Sequence, residues 1–341
     1  MKKKKILFIG GSLNQTTIMF KIYQHLSDKY DCYFSPYYAD GFIDYVVQKG
    51  FLNFSILGGK FKKATEEFLR YHELKIDYKG LADDYDLVFT CSDLIMPKNI
   101  RNKKVIHVQE GMTDPVTFAY YLVKYLKFPR WMASTAATGL SKDYDLFCVA
   151  SEGYKDLFVK KGADPKKIIV TGLPNFDNAK QFLDNDFPHK NYVMVATSDA
   201  RETFKLENRK KFILDCVKEA KGRQLLFKLH PNEKFERAKK EIETYAPGAF
   251  VYQQGNTNHM IANCDVLITK YSSVVYIGLA LGKEVHSYFN LNDLKKLMPI
   301  QNNGTSAERI AEIGEQMLES PQEQKIKVLK KEFSIKQVLN H

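Results

Sequence analysis

The chain has 341 residues, of which 44% are hydrophobic and 27% charged, and its 20 tyrosines and 23 phenylalanines supply enough apolar surface for two packed cores. This composition excludes a mainly disordered chain, and no apolar run approaches the ~20 residues of a transmembrane helix, which argues against an integral membrane protein. The net charge of +11 predicts anionic partners, either anionic lipid or phosphorylated small molecules; no nucleic acid is expected, because no helix-turn-helix, zinc-finger or RNP-like motif is visible.

The first half of the chain begins with four lysines and a short apolar run, 6–9, which imitates a secretory signal but is too short and ends in glycines without a cleavage site. We predict a first strand here, a helix over 16–30 and a cytoplasmic protein. The five scattered cysteines fit reduced, buried thiols. Further short apolar runs, separated by helix-length sequence, predict buried parallel strands over 86–90, 104–108, 146–150 and 167–171.

The second half repeats this alternation more clearly. Its predicted strands are 192–197, 224–230, 250–252, 265–269 and 284–289, and its predicted helices are 203–221, 233–245, 257–263, 273–281 and 305–319. The two series predict two Rossmann-like, doubly wound parallel-sheet α/β domains. We place the first at 1–175, a linker at 176–190, the second domain at 191–320 and a last helix at 321–341.

Ligands of open parallel sheets bind beyond the carboxyl ends of the strands, and the loops of two facing domains would line a central cleft. In the second domain, Lys228, His230 and Pro231 follow the second strand. A histidine here could donate a hydrogen bond to a phosphate, and Pro231 could begin a helix whose first amides add further donors. The alternative is that His230 only caps the strand and packs.

Other polar residues follow the neighbouring strands of the same domain. Ser272 and Ser273 stand at the expected start of a helix, where hydroxyls and free amides suit a phosphate but where serine also caps helices without any ligand. Gln254 and Asn258 lie in a segment that could bind a nucleotide base or form an ordinary capped turn. Ser198 closes the first strand, where its hydroxyl could meet the phosphate or the sugar.

The first domain offers a candidate general base. Glu110 stands beside a glycine at a strand end, where it could deprotonate an acceptor hydroxyl or be an ordinary surface acid, and Asp114 is the reserve candidate. Gly11, Ser12 and Asn14 belong to a glycine-bearing turn after the first strand. This turn lacks the GxGxxG spacing of a dinucleotide site, and we place it on the acceptor side.

Residues 118–132 form an apolar and aromatic segment that also contains Lys124, Lys127, Arg130 and the single tryptophan of the chain. Aromatic and cationic side chains together suit a membrane interface or a lipid-linked substrate. An amphipathic helix that packs on its own domain would show the same pattern, so both interpretations stay open.

These motifs resemble those of the GT-B glycosyltransferases. The segment 263–273 and its continuation to 283 are similar to the pattern of CDP-glycerol glycerophosphotransferases and UDP-GlcNAc 2-epimerases. Lys228 to Pro231, with Ser272 and Ser273, look like the His-Pro and Ser motifs of bacterial sialyltransferases and Kdo transferases. The resemblance covers roughly 145–290. It implies that these motifs hold the phosphate of a CMP-sugar, that Glu110 is the general base, and that neither a metal nor another cofactor is needed.

We therefore expect a metal-independent GT-B glycosyltransferase in the cytoplasm, and whether it acts at the inner face of the membrane stays open. It would transfer a sugar from a nucleotide-activated donor, with a CMP-sugar favoured over a UDP-sugar, to a cell-surface polysaccharide or glycolipid acceptor. His230 and the two serines would stabilise the leaving phosphate. Three alternatives stay open: a UDP-GlcNAc 2-epimerase or hydrolase, a CDP-glycerol glycerophosphotransferase, and a non-catalytic binding module.

Overall fold

The computed structural model describes residues 3–53, 55–202, 206–270 and 272–319. The chain divides into two compact units: residues up to 177 form the first together with the segment from 302, and residues 178–301 form the second. Each described unit is built around one parallel sheet, which confirms the predicted fold class. The predicted last helix, 321–341, lies outside the described residues.

The first unit has a six-stranded parallel sheet in the order β2-β1-β3-β4-β5-β6. The strands are β1 Lys5–Gly10, β2 Asp31–Pro36, β3 Leu87–Thr90, β4 Lys104–Val108, β5 Leu146–Val149 and β6 Ile168–Val170. Its first five helices are α1 Leu13–Gln24, α2 Gly41–Gln48, α3 Gly59–Tyr71, α4 Phe118–Leu126 and α5 Glu152–Lys161. The central strands are buried along their whole length because helices cover both faces of the sheet, as their continuous apolar runs predict.

Strand β2 is the one strand of this sheet that the sequence analysis did not find. Its sequence mixes polar with apolar residues and ends in a proline. This pattern suits the edge strand that it forms, because an edge strand has only one full neighbour. Phe34 anchors it: the ring of Phe8 stacks between those of Phe34 and Phe89, with centroids 5.1 Å apart on each side.

The second unit has a five-stranded parallel sheet in the order β11-β10-β7-β8-β9. The strands are β7 Tyr192–Ala196, β8 Leu225–Lys228, β9 Phe250–Tyr252, β10 Cys264–Thr269 and β11 Glu284–His286. The helices are α6 Arg209–Ala220, α7 Phe235–Tyr245, α8 Thr257–Asn263, α9 Val275–Ala280 and α10 Leu291–Leu297. The predicted strands agree closely, while α10 was not predicted.

The last described helix, α11 Ser306–Glu319, packs on the sheet of the first unit, although the sequence analysis assigned this segment to the second domain. Ile310 and Ile313 are fully buried in the core of the first unit. Gly314 lets the helix approach closely, since a Cβ there would lie 2.7 Å from the ring of Phe89. The apolar stripe of α11 predicts a buried face, but periodicity cannot tell which sheet that face will cover.

Both sheets have a point where the strand order reverses. In the first unit the chain crosses from β2 to β3 on the other side of β1, and in the second it crosses from β9 to β10 on the other side of β7. In open α/β sheets, ligands bind beyond the carboxyl ends of the strands at such points. The loops that follow β1, β3, β7 and β10 are therefore the first places to look for a site.

Candidate functional site

A cavity of about 470 Å³ opens in the first unit, beyond the carboxyl ends of β1 to β4. Its wall comes from the start of α1, from the segment after β2, from the loops after β3 and β4, and from residues 131–138. The most prominent side chains that line it are Gln15, Tyr37, Phe61, Glu110, Met112 and Trp131. The volume lies within the ~300–1,000 Å³ that is usual for small-molecule sites.

Glu110 is held at this cavity by side chains from the start of α1. Its Oε2 accepts a hydrogen bond from Nε2 of Gln15 at 2.7 Å. Its Oε1 accepts from Oγ of Ser12 at 3.0 Å and from Nδ2 of Asn14 at 3.4 Å. The structure thus brings together the candidate base and two of the residues that the sequence analysis placed on the acceptor side.

Every one of these donors is neutral. A carboxylate has about four lone-pair sites, and three of them are used here, so one can still accept a proton from a ligand hydroxyl. The carboxylate also lies at the amino end of a 12-residue helix, where the helix dipole favours negative charge. The negative charge of Glu110 also acts on the neighbouring Cys91. Burial and this charge together raise the pKa of the Cys91 thiol well above its ordinary value.

Gln15 belongs to the candidate site and was not among the residues that the sequence pointed to. Its side chain is buried, and its Oε1 accepts from the main-chain N–H of Gly11 at 2.8 Å, which turns Nε2 towards Glu110. Ser12 caps α1 by accepting from the N–H of Gln15 at 3.2 Å. The spacing Ser12-x-x-Gln15 is that of a capping box, and this was the signal available in the sequence.

Gly11 contributes through its lack of a side chain. A Cβ at this position would lie 2.8 Å from Cβ of Tyr37 and 2.9 Å from Cβ of Ile56, both of which line the cavity. Asn14 is fixed by Asn175, whose Nδ2 donates to Oδ1 of Asn14 at 2.9 Å. Asn14 is thereby oriented with its own amide towards Glu110.

Asp114, the reserve candidate, organises the wall of the cavity and is not among the described residues that line it. Its Oδ2 accepts from Oγ of Ser134 at 2.8 Å and from Oγ1 of Thr135 at 2.7 Å. Behind this wall lies the buried Lys161, whose Nζ donates to Oγ1 of Thr113 at 3.4 Å. Burial lowers the pKa of Lys161 to about 8, although the charge of Asp114 acts in the opposite direction.

In the second unit, the strand register places Ala196, Lys228 and Thr269 level with one another on neighbouring strands. The loops that carry Ser198, His230 and Ser272 therefore leave the sheet at the same edge. Because adjacent strands lie about 4.8 Å apart, one phosphate or sugar could span these loops.

The imidazole of His230 has a defined orientation. Its Nδ1 accepts a hydrogen bond from the main-chain N–H of Asn232 at 3.2 Å, so the neutral ring carries its proton on Nε2. The side chain is 37% exposed, which leaves that N–H available to a ligand. The expectation that a helix begins at Pro231 is wrong, because α7 begins at Phe235. Residues 230–233 form a turn closed by the N–H of Glu233 donating to the carbonyl of His230 at 3.0 Å.

Ser272 and Ser273 precede α9 but do not cap it with their side chains. The N–H groups of Val275 and Tyr276 donate to the main-chain carbonyls of Ser272 and Ser273, at 3.2 and 3.1 Å. The interpretation of these serines as side-chain helix caps is therefore wrong. Their hydroxyls are not used by the helix, and a ligand could engage them.

Of the other candidates of this unit, Lys228 has a structural role. Lys228 is buried, and its Nζ donates to the carbonyls of Leu229 at 3.1 Å and Gln253 at 2.8 Å, which joins the ends of β8 and β9. Burial lowers its pKa. Asn256 caps α8 by accepting from the N–H of Asn258 at 2.9 Å, so neither Asn258 nor its neighbour at 257 is the cap. Gln254 lies beside this turn and is exposed.

A buried group of charges lies under the loops after β7, β8 and β10, and the sequence analysis missed it. Arg209 and Glu233 form an ion pair at 2.9 Å, with side chains that are 4% and 1% exposed. Oε2 of Glu233 also accepts from the N–H of His230 at 3.0 Å. Lys270 pairs with Glu207 in the same group. Charged residues between strands look like surface loops in a sequence, so nothing there marked them as buried.

The structure confirms that part of the segment 118–132 packs on its own domain, while the membrane interpretation stays a prediction. Helix α4 buries Tyr120 and Val123 against the first unit, while Phe118 is 76% and Tyr125 69% exposed. Trp131 is half-exposed and lines the cavity. Within the described parts of the chain, no helix has the length and the apolar character that crossing a membrane requires.

Comparison with known proteins identifies the fold. No protein-family model matches the sequence, and no curated protein matches it either. Solved structures do match: S. aureus MnaA with UDP, at 12% identity and a TM-score of 0.58, over 94% of this chain and 98% of that one. The Neisseria meningitidis UDP-GlcNAc 2-epimerase bound to UDP-GlcNAc matches at 13% identity and a TM-score of 0.55, over 92% of this chain and 100% of that one.

The wall teichoic acid polymerase TagF is similar as well, at 12% identity and a TM-score of 0.55, over 93% of this chain and 89% of that one. All three matches extend over both units. Together with the two parallel-sheet α/β units, they show that the chain has the GT-B fold, as the sequence motifs implied. At this level of identity the similarity is one of fold.

The buried amine of Lys161 predicts how the stability of the fold depends on pH. Between pH 8 and the ordinary lysine pKa of 10.5, the unfolded chain holds a proton on Lys161 that the folded chain has lost, so the free energy of unfolding rises with pH across that window. Lys161→Met should therefore raise the melting temperature at pH 7 and raise it less at pH 10. Thermal unfolding at the two pH values measures this. The exposed neighbour provides the control Lys160→Met, and an equal effect of both variants would contradict the assignment.

Proposed function

We propose that this chain is a glycosyltransferase of the GT-B fold that uses a nucleotide-activated sugar and deprotonates its acceptor with Glu110. The observation that carries the proposal is the setting of Glu110. The carboxylate lies at a cavity beyond the strand ends, is oriented by Ser12, Asn14 and Gln15, and keeps a lone pair for an incoming hydroxyl.

The donor would bind to the second unit through the loops after β7, β8 and β10. Nε2–H of His230 would donate to the phosphate that leaves with the nucleotide, and the hydroxyls of Ser272 and Ser273 would add further donors. Donors fixed in advance stabilise the charge that develops on a leaving group, because they need no reorganisation during the reaction. The ion pair between Arg209 and Glu233 supports this role, since Glu233 holds the main chain of His230 in place.

The identity of the donor is open between two nucleotides. The sequence motifs favour a CMP-sugar, whereas two of the similar structures were solved with UDP or UDP-GlcNAc. Two of the three similar structures described above therefore make uridine nucleotides the first to test. A second candidate function, epimerisation or hydrolysis of UDP-GlcNAc, has the support of the epimerase among these structures. Incubation with UDP-GlcNAc and no acceptor separates the candidates, because only the second function consumes the sugar nucleotide at a catalytic rate.

A thermal-shift panel of CMP, CDP, UMP, UDP and GDP tests the donor site. A ligand that binds only the folded chain raises its melting temperature, so the correct nucleotide should stand out from the others. His230→Ala should weaken binding of that nucleotide about tenfold or more, because a hydrogen bond to a charged group contributes about 1.5–3 kcal/mol. His25→Ala, at an exposed histidine of the first unit, is the control. Equal affinities in the two variants would remove His230 from the site.

Glu110→Gln tests the general base. The amide keeps the size of the side chain but cannot take a proton, so transfer should fall about 10²–10⁴-fold while nucleotide binding stays unchanged. Asp114→Asn is the matched variant, because Asp114 is the reserve candidate and only supports the wall. A larger loss of turnover in Asp114→Asn than in Glu110→Gln would reverse the assignment, and full activity in both would end the proposal.

We also propose that α4 and the residues after it rest on an anionic membrane surface, where a lipid-linked acceptor would be found. Exposed aromatic rings, such as those of Phe118 and Tyr125, lie among the exposed Lys124 and Lys127. The protein should sediment with vesicles that contain anionic lipid but not with neutral ones, and Tyr125→Ser should weaken this binding. Tyr71→Ser, at a still more exposed ring on α3, should not. Equal sedimentation with both kinds of vesicle would contradict the idea.

A further inference from the structure

The cavity around Glu110 has an unusual charge inventory for a chain with a net charge of +11. Of the described residues that line it, Glu110 alone is charged. The rest of the wall is apolar, aromatic, or carries uncharged hydroxyl, amide and thiol groups. We infer from this that the cavity binds an uncharged saccharide and discriminates against acceptors that carry a phosphate or carboxylate close to the reacting hydroxyl.

Two cations beside the wall, Arg130 and Lys161, are already bound to other groups. Nε of Arg130 donates to the carbonyl of Asp93 at 2.9 Å, and its guanidinium lies 3.7 Å from the carboxylate of Asp143. Lys161 is buried, with its Nζ on Oγ1 of Thr113. Neither residue lines the cavity. An anion bound there would therefore be repelled by the carboxylate of Glu110. It would also lose part of its hydration without gaining a positive partner.

The wall suits a neutral saccharide in two ways. Trp131, Tyr37 and Phe61 present aromatic surface, which can cover the apolar C–H face of a sugar ring. Ser92, Thr113 and Thr138 also line the cavity, and their hydroxyls can exchange hydrogen bonds with sugar hydroxyls. A mostly apolar wall with a few placed polar groups is the usual composition of a small-molecule site.

This inference rests on the proposed function for the role of Glu110, but it makes a claim about binding that stands apart from catalysis. It also separates two of the activities considered above. A saccharide acceptor presents hydroxyls and C–H surface, whereas an acceptor that already carries glycerol phosphate would bring a phosphate close to the hydroxyl that reacts. The described residues of the cavity wall include no cation to balance the charge of such a phosphate.

Trp131 makes the test direct, because it is the single tryptophan of the chain and part of the cavity wall. Its fluorescence should change saturably when methyl glycosides of glucose, galactose or N-acetylglucosamine are titrated into the protein. Glucose 6-phosphate, glucuronic acid and glycerol 3-phosphate should bind at least tenfold more weakly at the same ionic strength. Trp131→Phe must abolish the signal. Equal or tighter binding of the anionic probes overturns the inference, and so does the absence of a saturable change with every neutral glycoside.

A charge placed in the wall gives a second, opposite test. Met112 lines the cavity and is partly buried, and lysine has a similar unbranched shape. Met112→Lys should raise the affinity for glucose 6-phosphate at least tenfold and change that for the neutral glycosides little. Met132→Lys, at an exposed methionine that does not line the cavity, is the control and should leave both affinities unchanged. The fluorescence of Trp131 reports binding to Met112→Lys and Met132→Lys without any turnover. The preference for neutral saccharides can therefore be disproved while transferase activity is present, and it can be confirmed while transferase activity is absent.

Discussion

The contact between Glu110 and the start of α1 is the interaction on which the candidate site depends. Glu110 follows β4, whereas α1 follows β1, and β3 lies between these two strands in the sheet. The hydrogen bonds from Ser12 and Gln15 to this carboxylate therefore join loops across the strand-order reversal, beside the cavity. Because neutral donors and a helix dipole hold the carboxylate, it is oriented without being neutralised by a cation, which is what a general base requires.

The second unit orients its candidate residue by different means. His230 receives its geometry from the N–H of Asn232 and from Glu233, which is in turn paired with Arg209 in the interior. Removing one member of such a buried pair leaves an uncompensated charge and is costly, so the loop of His230 has little freedom to rearrange. In both units a candidate side chain is thus positioned by a buried neighbour, Gln15 in the first unit and Glu233 in the second.

The sequence predicts what depends on local pattern and misses what depends on long-range contacts. Continuous apolar runs predict nearly every strand, and the strand ends point to Glu110, His230, Ser272 and Ser273. Edge strand β2 is not predicted because its sequence mixes polar and apolar residues. Helix α11 is assigned to the wrong sheet because the periodicity of a helix predicts a buried face but not the sheet against which that face packs. The capping-box spacing marks Gln15 at the start of a helix, but it does not identify Glu110 as the partner of its side chain. The pair Arg209–Glu233 likewise joins separate segments, and no spacing in the sequence marks it.

The distribution of charge connects these observations to substrates. A net charge of +11 predicts anionic partners, yet among the described residues of the cavity wall only Glu110 is charged, and its charge is negative. The excess of positive charge therefore lies on other parts of the protein. Exposed lysines do lie among the aromatic rings of α4. Electrostatic attraction that draws a chain to an anionic surface acts over about a Debye length, while discrimination inside a cavity acts at contact distance. A basic protein can for this reason have a cavity without cations: under the proposals above, its surface charge would set where it binds, and the cavity wall would set which hydroxyl reaches Glu110.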